Sequence, residues 1–153
     1  MIDSIEVKEF DGLEGQLLDA NVSYGEMTRE YASYLMGLIQ RGELKTIAAR
    51  KLEKLVPFLK EAILRERIES DEVLRKKLTV DLWKMEQQSR KEDEDFANFI
   101  RGVLYCYGTE EVWEEEGDGP TPIYLYFLIL KKILPGLRKD FISSFNRFLG
   151  GRS

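Results

Sequence analysis

Residues 78–105 read LTVDLWKMEQQSRKEDEDFANFIRGVLY, and the spacing of their apolar members decides the fold class. Leu78, Leu82, Met85, Ser89, Glu92, Phe96, Phe99 and Val103 follow alternating steps of four and three. Such steps keep one side of an α-helix turned toward a partner, so they predict helix and not strand. Read as one element from Thr79 to Tyr105, the helix is about 40 Å long at ~1.5 Å per residue. Ser89 and Glu92 interrupt its seam, and Gln87 to Asp95 is polar throughout. Continuity requires that stretch to project into water or to meet a polar partner. The alternative is a loop at residues 88–94 that splits the helix in two. The expectation is one long central helix.

The rest of the chain carries the same periodicity. On the N-terminal side, Ser70-Asp71-Glu72 supplies a cap and an acidic first turn for a short helix. Before it, Leu44, Ala48, Leu52, Leu55, Leu59 and Ile63 mark the buried side of another helix, which Pro57 kinks or breaks near Val56. Met27, Tyr31, Tyr34, Leu35, Leu38 and Ile39 share one side of a helix from Glu26 to Arg41, with Gly42 as its stop. Residues 1–25 are read as irregular because of Gly12 and Gly15, with Ile5–Val7 the only stretch that passes for a short strand. On the C-terminal side, Tyr107-Gly108 ends the long helix and residues 109–120 read as an acidic linker. Thr121-Pro122 then starts a helix firmly. Residues 123–134 are apolar nearly all round, and Pro135-Gly136 breaks them from a closing helix striped with Leu137, Phe141, Ile142, Phe145, Phe148 and Leu149. The prediction is an all-α bundle of five or six helices, with a bundle domain at 26–108 and a C-terminal apolar helical hairpin at 121–153.

At 153 residues the chain is long enough to bury one real core, and 43% hydrophobic with 33% charged residues places it among globular proteins. It opens without a basic, apolar secretory segment, and its longest strongly apolar run, Ile123 to Leu130, is too short to cross a bilayer. A cytoplasmic protein with no membrane contact is expected. Abundant Glu, Lys and Arg with few Asn, Gln, His and Cys point to a thermophilic, archaeal origin, with a protein of long helices as the plainer alternative. The net charge of −5 is laid out in blocks, −6 over residues 1–30, +4 over 31–80, −8 over 81–119 and +5 over 120–153. Such blocks suit charged protein partners, or neutralise one another within the fold. A free nucleic-acid binder is usually basic overall, so nucleic acid is expected only within a complex.

Histidine is absent and Cys106 is the single cysteine. That composition removes imidazole general bases, histidine metal ligands, Ser-His-Asp and Cys-His arrangements, structural zinc sites and internal disulfides. Neither phosphate-binding glycine motif is present, and no cofactor is expected. One enzymatic pattern remains. Glu66-x-x-Glu69 followed by Glu92-x-x-Asp95 resembles the magnesium-holding carboxylates of MazG-like all-α nucleotide pyrophosphohydrolases. In antiparallel helices, however, these two pairs would not meet. Arg41, Lys45, Arg50, Lys51, Lys54 and Lys60 form a basic flank. Of these, Arg41, Lys45, Arg50 and Lys54 are candidates for phosphate or acidic-partner contact, against the plainer reading of a solvated face. Trp113, Tyr124, Tyr126, Phe127, Phe145 and Phe148 are more aromatic residues than one short hairpin needs for its own core. Core is the plain reading of each, but with the hairpin of residues 121–149 they are also the candidate docking element for a protein partner or a second copy, with Arg138 and Lys139 at its polar rim.

The run Arg50-Lys51-Leu52-Glu53-Lys54-Leu55-Val56-Pro57-Phe58 at a helix end, then Lys77-Leu78-Thr79 and Phe96-Ala97-Asn98-Phe99-Ile100, resembles the helical domain of GINS replication subunits. The likeness covers about 60 of the 153 residues. Asp81 stands where that family usually has a glutamate pair, and the tail reads as helical where the family carries a small β-domain. The resemblance implies a non-catalytic scaffold that binds sister subunits, a helicase and a nuclease-like partner. The leading expectation is thus a non-catalytic helical subunit of a multiprotein assembly. A MazG-like hydrolase and a small helical subunit of a CRISPR effector complex are the alternatives.

Overall fold

Helix α1 (Ser4–Asp19) occupies most of the stretch expected to be irregular, the short strand at Ile5–Val7 included. Glu6, Phe10, Leu13 and Leu17 recur every three or four residues and are buried. Burying one such apolar side chain is worth ~1.5–3 kcal/mol, whereas a glycine inside a helix costs ~0.5–1 kcal/mol. Three apolar anchors therefore outweigh Gly12 and Gly15, which sit where an added Cβ would touch nothing. The structure, a computed structural model, describes residues 4–117 and 119–152, and every regular element among them is helical.

Helix α2 (Tyr24–Gln40) begins at a capping box. The Glu26 amide donates to Ser23 Oγ at 3.1 Å and the Ser23 amide donates to Glu26 Oε1 at 3.2 Å. Its end is the one expected at Gly42, which takes φ +69° while Glu43 N–H reaches back to the Leu38 carbonyl at 3.0 Å. Pro57 breaks the next helix, as expected, into α3 (Ala49–Glu53) and α4 (Val56–Leu64), with Pro57 in the first turn of α4. There the missing proline amide has no helical partner to lose. A left-handed Arg65 (φ +58°) turns the chain into α5 (Glu66–Ser70).

The long central helix is not continuous. Residues 72–105 form α6 (Glu72–Ser89) and α7 (Glu94–Tyr105), and the chain folds back between them. Asp71 and Asp93 cap the two starts, accepting from Leu74 N–H at 3.0 Å and Phe96 N–H at 3.2 Å. The apolar period survives the break, since Leu82, Phe96, Phe99 and Val103 are all buried. A single rod would have left the polar middle without packing, whereas the hairpin lays each apolar stripe on the other. Glu86, fully buried between the arms, accepts from Arg90 Nε at 2.6 Å and Arg101 Nη2 at 2.8 Å. The polar middle of the seam is thus the bend, with Glu92 exposed at its tip.

The acidic stretch expected as linker folds into α8 (Glu110–Glu116), capped by Thr109 Oγ1. Helix α9 (Ile123–Lys131) follows, and Thr121 just before it donates its hydroxyl to Glu14 Oε2 of α1 at 2.7 Å. Helix α10 (Arg138–Gly150) completes the expected C-terminal hairpin. The core lies where α1, α2, α7, α9 and α10 converge. Tyr31 stacks on Tyr126 at 4.0 Å between ring centroids, Phe10 on Phe127 at 4.6 Å, and Phe141 lies against Phe145 at 5.2 Å.

Candidate functional site

The hairpin aromatics singled out for docking go mostly to the protein's own core. Tyr126, Phe127 and Phe145 are buried, and Phe148 is partly buried against Phe145. Tyr124 is half-buried with its hydroxyl donating to Glu6 Oε1 at 3.1 Å. The reason is helix α1, which packs on α9 and α10 and sets Phe10 against Tyr124, Phe127 and Phe141. With residues 1–25 read as irregular, that cover was missing from the sequence reading and the hairpin looked bare. Arg138 pairs with Glu9 at 3.7 Å, and Lys139 is exposed.

Trp113 packs inward from α8, its Nε1 buried without a hydrogen-bond partner among the described residues. A Cβ at Gly117 would lie 2.4 Å from the Trp113 ring, so glycine is required where the chain leaves α8. In the basic flank, Arg41 is held by Asp140 at 3.4 Å and Lys51 by Asp93 at 2.8 Å. Lys45, Arg50 and Lys54 are exposed.

The paired carboxylates lie far apart. Glu66 and Glu69 precede α6, while Glu92 and Asp95 follow it, so 18 residues of helix separate them. At ~1.5 Å per residue that is roughly 27 Å, several times the reach of one magnesium coordination sphere. Glu69 accepts from Arg65 Nε at 2.6 Å and Asp95 from Thr46 Oγ1 at 2.6 Å. Among the described residues no group of three or more acidic or cysteine side chains could hold a metal ion. Cys106 is fully buried, and burial pushes its thiol well above the ordinary range, so it is an inert apolar filler.

A polar cleft of about 520 Å³ is lined by Tyr24, Arg65, Glu69, Glu72, Arg75 and the turn at Gly108-Thr109. Its two arginines are committed to the end of α7. Arg65 Nη1 donates to the Cys106 carbonyl at 3.4 Å and Arg75 Nη1 to the Tyr107 carbonyl at 3.3 Å. Cations there satisfy the free carbonyls and the negative end of the helix. This cleft is a bracket that holds the α6–α7 hairpin.

The open surface that the sequence reading missed is apolar. Two hollows of about 590 Å³ each meet at Tyr105. The first is walled by Thr79 and Trp83 of α6, Leu104 of α7 and Val112 of α8. The second is walled by Leu125, Leu128 and Ile129 of α9, with Lys131 and Lys132 at its edge. Trp83 is 43% exposed, Val112 51%, Leu125 39% and Leu128 37%. Single exposed apolar residues are ordinary, but a joined strip from four helices is the pattern of a contact surface. Val80, one helical turn from Trp83, extends it at 50% exposure. No family model, curated protein or solved structure matches this chain, and no helix among the described residues is long and apolar enough to cross a membrane.

Proposed function

We propose that this chain is a non-catalytic helical interaction subunit of a multiprotein assembly, and that it docks through the seam of Trp83, Leu104, Tyr105, Val112, Leu125 and Leu128. One observation carries this reading. The helices of the described residues bury one continuous apolar core, yet this joined apolar strip stays open to water. At ~25 cal/mol per Å² of apolar surface, leaving such a strip bare forgoes stabilisation that a partner supplies. The separation of Glu66 and Glu69 from Glu92 and Asp95 supports a scaffold over a carboxylate-dependent hydrolase. In its most specific form, carried by the sequence resemblance alone, the role is that of a GINS-like subunit in DNA replication. Any phosphate contact falls to Lys45, Arg50 and Lys54, exposed members of the basic flank, and only within the assembly.

The test is recovery of tagged protein from its native host. Leu125→Glu combined with Leu128→Glu is expected to remove the associated proteins while the circular dichroism spectrum stays helical. Associated proteins retained at wild-type amounts would overturn the docking role of the seam.

A further inference from the structure

The seam has ends of opposite charge. Helix α8 stands at one end, with Glu110, Glu111, Glu114, Glu115 and Glu116 all exposed. Arg75 and Arg101 also border that hollow, but they already pair with Glu72 at 3.4 Å and Glu86 at 2.8 Å, so the end remains acidic. Helix α9 runs along the strip from there. Leu125 and Leu128 border Trp113 and Glu116 on one side and Tyr105 on the other. At the far end Lys131 and the exposed Lys132 edge the second hollow. Lys131 is paired with Glu6 at 2.9 Å and Arg138 with Glu9 at 3.7 Å, so Lys132 and, beyond Pro135 and Gly136, the exposed Lys139 give that end its basic character. The surface therefore reads acidic, apolar, basic, with Tyr105 common to both hollows.

A strip of that kind is complementary to itself when turned end for end. Two-fold interfaces have this property, because each contact between two different residues occurs twice across the axis. A single helix from another protein would need the same charge order in reverse to match both ends. This chain already carries it, with five exposed glutamates on α8 at one end and Lys132 and Lys139 at the other.

We propose that the occupant of the seam is a second copy of this chain, in a two-fold dimer with Tyr105 near the axis. Leu125 and Leu128 of each copy cover Leu104 and Val112 of the other, and α8 of each faces Lys132 and Lys139 of the other. The inference rests on the docking reading above and names the partner. Apolar contact in the middle supplies affinity, and the charged ends fix the antiparallel orientation.

The mass of the purified chain, followed by light scattering and sedimentation across a range of concentrations, tests this. A dimer is expected. Lys132→Glu with Lys139→Glu, both on the exposed surface, should weaken it by about tenfold or more, since each reversed pair counts twice. Adding Glu111→Lys and Glu115→Lys to the same chain should restore it, an outcome that loss of folding cannot produce. Leu128→Glu should give a helical monomer. A monomer at every concentration, or a dimer indifferent to Leu128→Glu, overturns the proposal. If the chain is monomeric and the two α9 substitutions still strip its associated proteins in the host, only the second copy is wrong. If neither response appears, the docking reading fails as well.

Discussion

The hydroxyl of Tyr31 is fully buried and has no hydrogen-bond partner among the described residues, and it sits directly over Gly102 of α7. Leaving a hydroxyl unsatisfied in a core costs ~1–3 kcal/mol. Tyr31→Phe removes that group, keeps the ring stacked on Tyr126, and opens a void smaller than a methyl group, worth ~1 kcal/mol or less. A net gain of about 1 kcal/mol is expected. Gly102→Ala alone behaves differently. A Cβ there would lie 3.0 Å from the Tyr31 hydroxyl, and 3.7 Å from both Ile129 Cγ2 and Leu130 Cδ2. The ~0.5–1 kcal/mol that alanine gains over a helical glycine is then offset by overpacking of ~1–3 kcal/mol. With Tyr31→Phe present the obstructing oxygen is gone, and the alanine methyl fills the vacated space. The two changes together should be more stabilising than the sum of the singles by about 1–2 kcal/mol. The double variant then gains about 1.5–2 kcal/mol in all, and at ~2–4 °C per kcal/mol for a chain of this size it should melt roughly 3–8 °C above the wild type. Urea and thermal unfolding followed by circular dichroism read all four corners of the cycle. Additivity within ~0.5 kcal/mol, or a Tyr31→Phe protein less stable than the wild type by more than ~1 kcal/mol, would show that the hydroxyl has a partner or that the helix spacing is wrong.

Glu86→Gln should destabilise the α6–α7 hairpin by about 2 kcal/mol, below the ~3–5 kcal/mol of a fully buried broken pair because Arg101 and Arg90 are partly exposed. Hydrogen bonds from Arg90 and then Arg101 hold the Glu86 carboxyl below its ordinary range. Its contribution is therefore complete above the unfolded carboxylate pKa and lost as pH falls through the folded value, so wild type and Glu86→Gln should converge in chemical denaturation at acid pH. Gly42→Ala should lower stability by ~1 kcal/mol, since the residue takes φ +69°, and an unchanged unfolding midpoint would count against that turn. The purified chain should show no magnesium-dependent turnover of nucleoside triphosphates, and turnover abolished by Glu92→Gln would refute the non-catalytic reading.

Helical class, the stop at Gly42, the break at Pro57 and the hairpin at Pro135-Gly136 were legible because each rests on local chemistry. Backbone angle, a missing amide and apolar spacing act within a few residues of their cause. Helix α1 was not legible for the opposite reason. Gly12 and Gly15 lower local propensity, and only contacts with residues more than a hundred positions away, such as Phe127 and Phe141 against Phe10, compensate. Helix α8 was hidden by five like charges, although Thr109 was available as its cap. The break at residues 90–93 shows a limit of periodicity. A heptad pattern records which residues face inward, and a rod and a hairpin can bury the same set.

The seam was illegible for a related reason. Along α9 nearly every residue is apolar, so no phase distinguishes Leu125 and Leu128, which face out, from Tyr126, Phe127 and Leu130, which face in. On α6, Val73, Val80 and Trp83 stand off the inward stripe at helical spacing, and all three are exposed. That second stripe was the available signal. A helix with apolar residues on two faces has one face for its own core and one to spare. The aromatic residues of the hairpin drew attention to a face that the chain itself largely covers, because large rings mark core as readily as interface. What separates the two is whether another element of the same chain covers them. Helix α1 covers Phe127 and Phe141, and no described element covers Trp83, Val112 and Leu128 to the same depth. The surface to test is therefore the one formed by aliphatic residues left over after the core is complete.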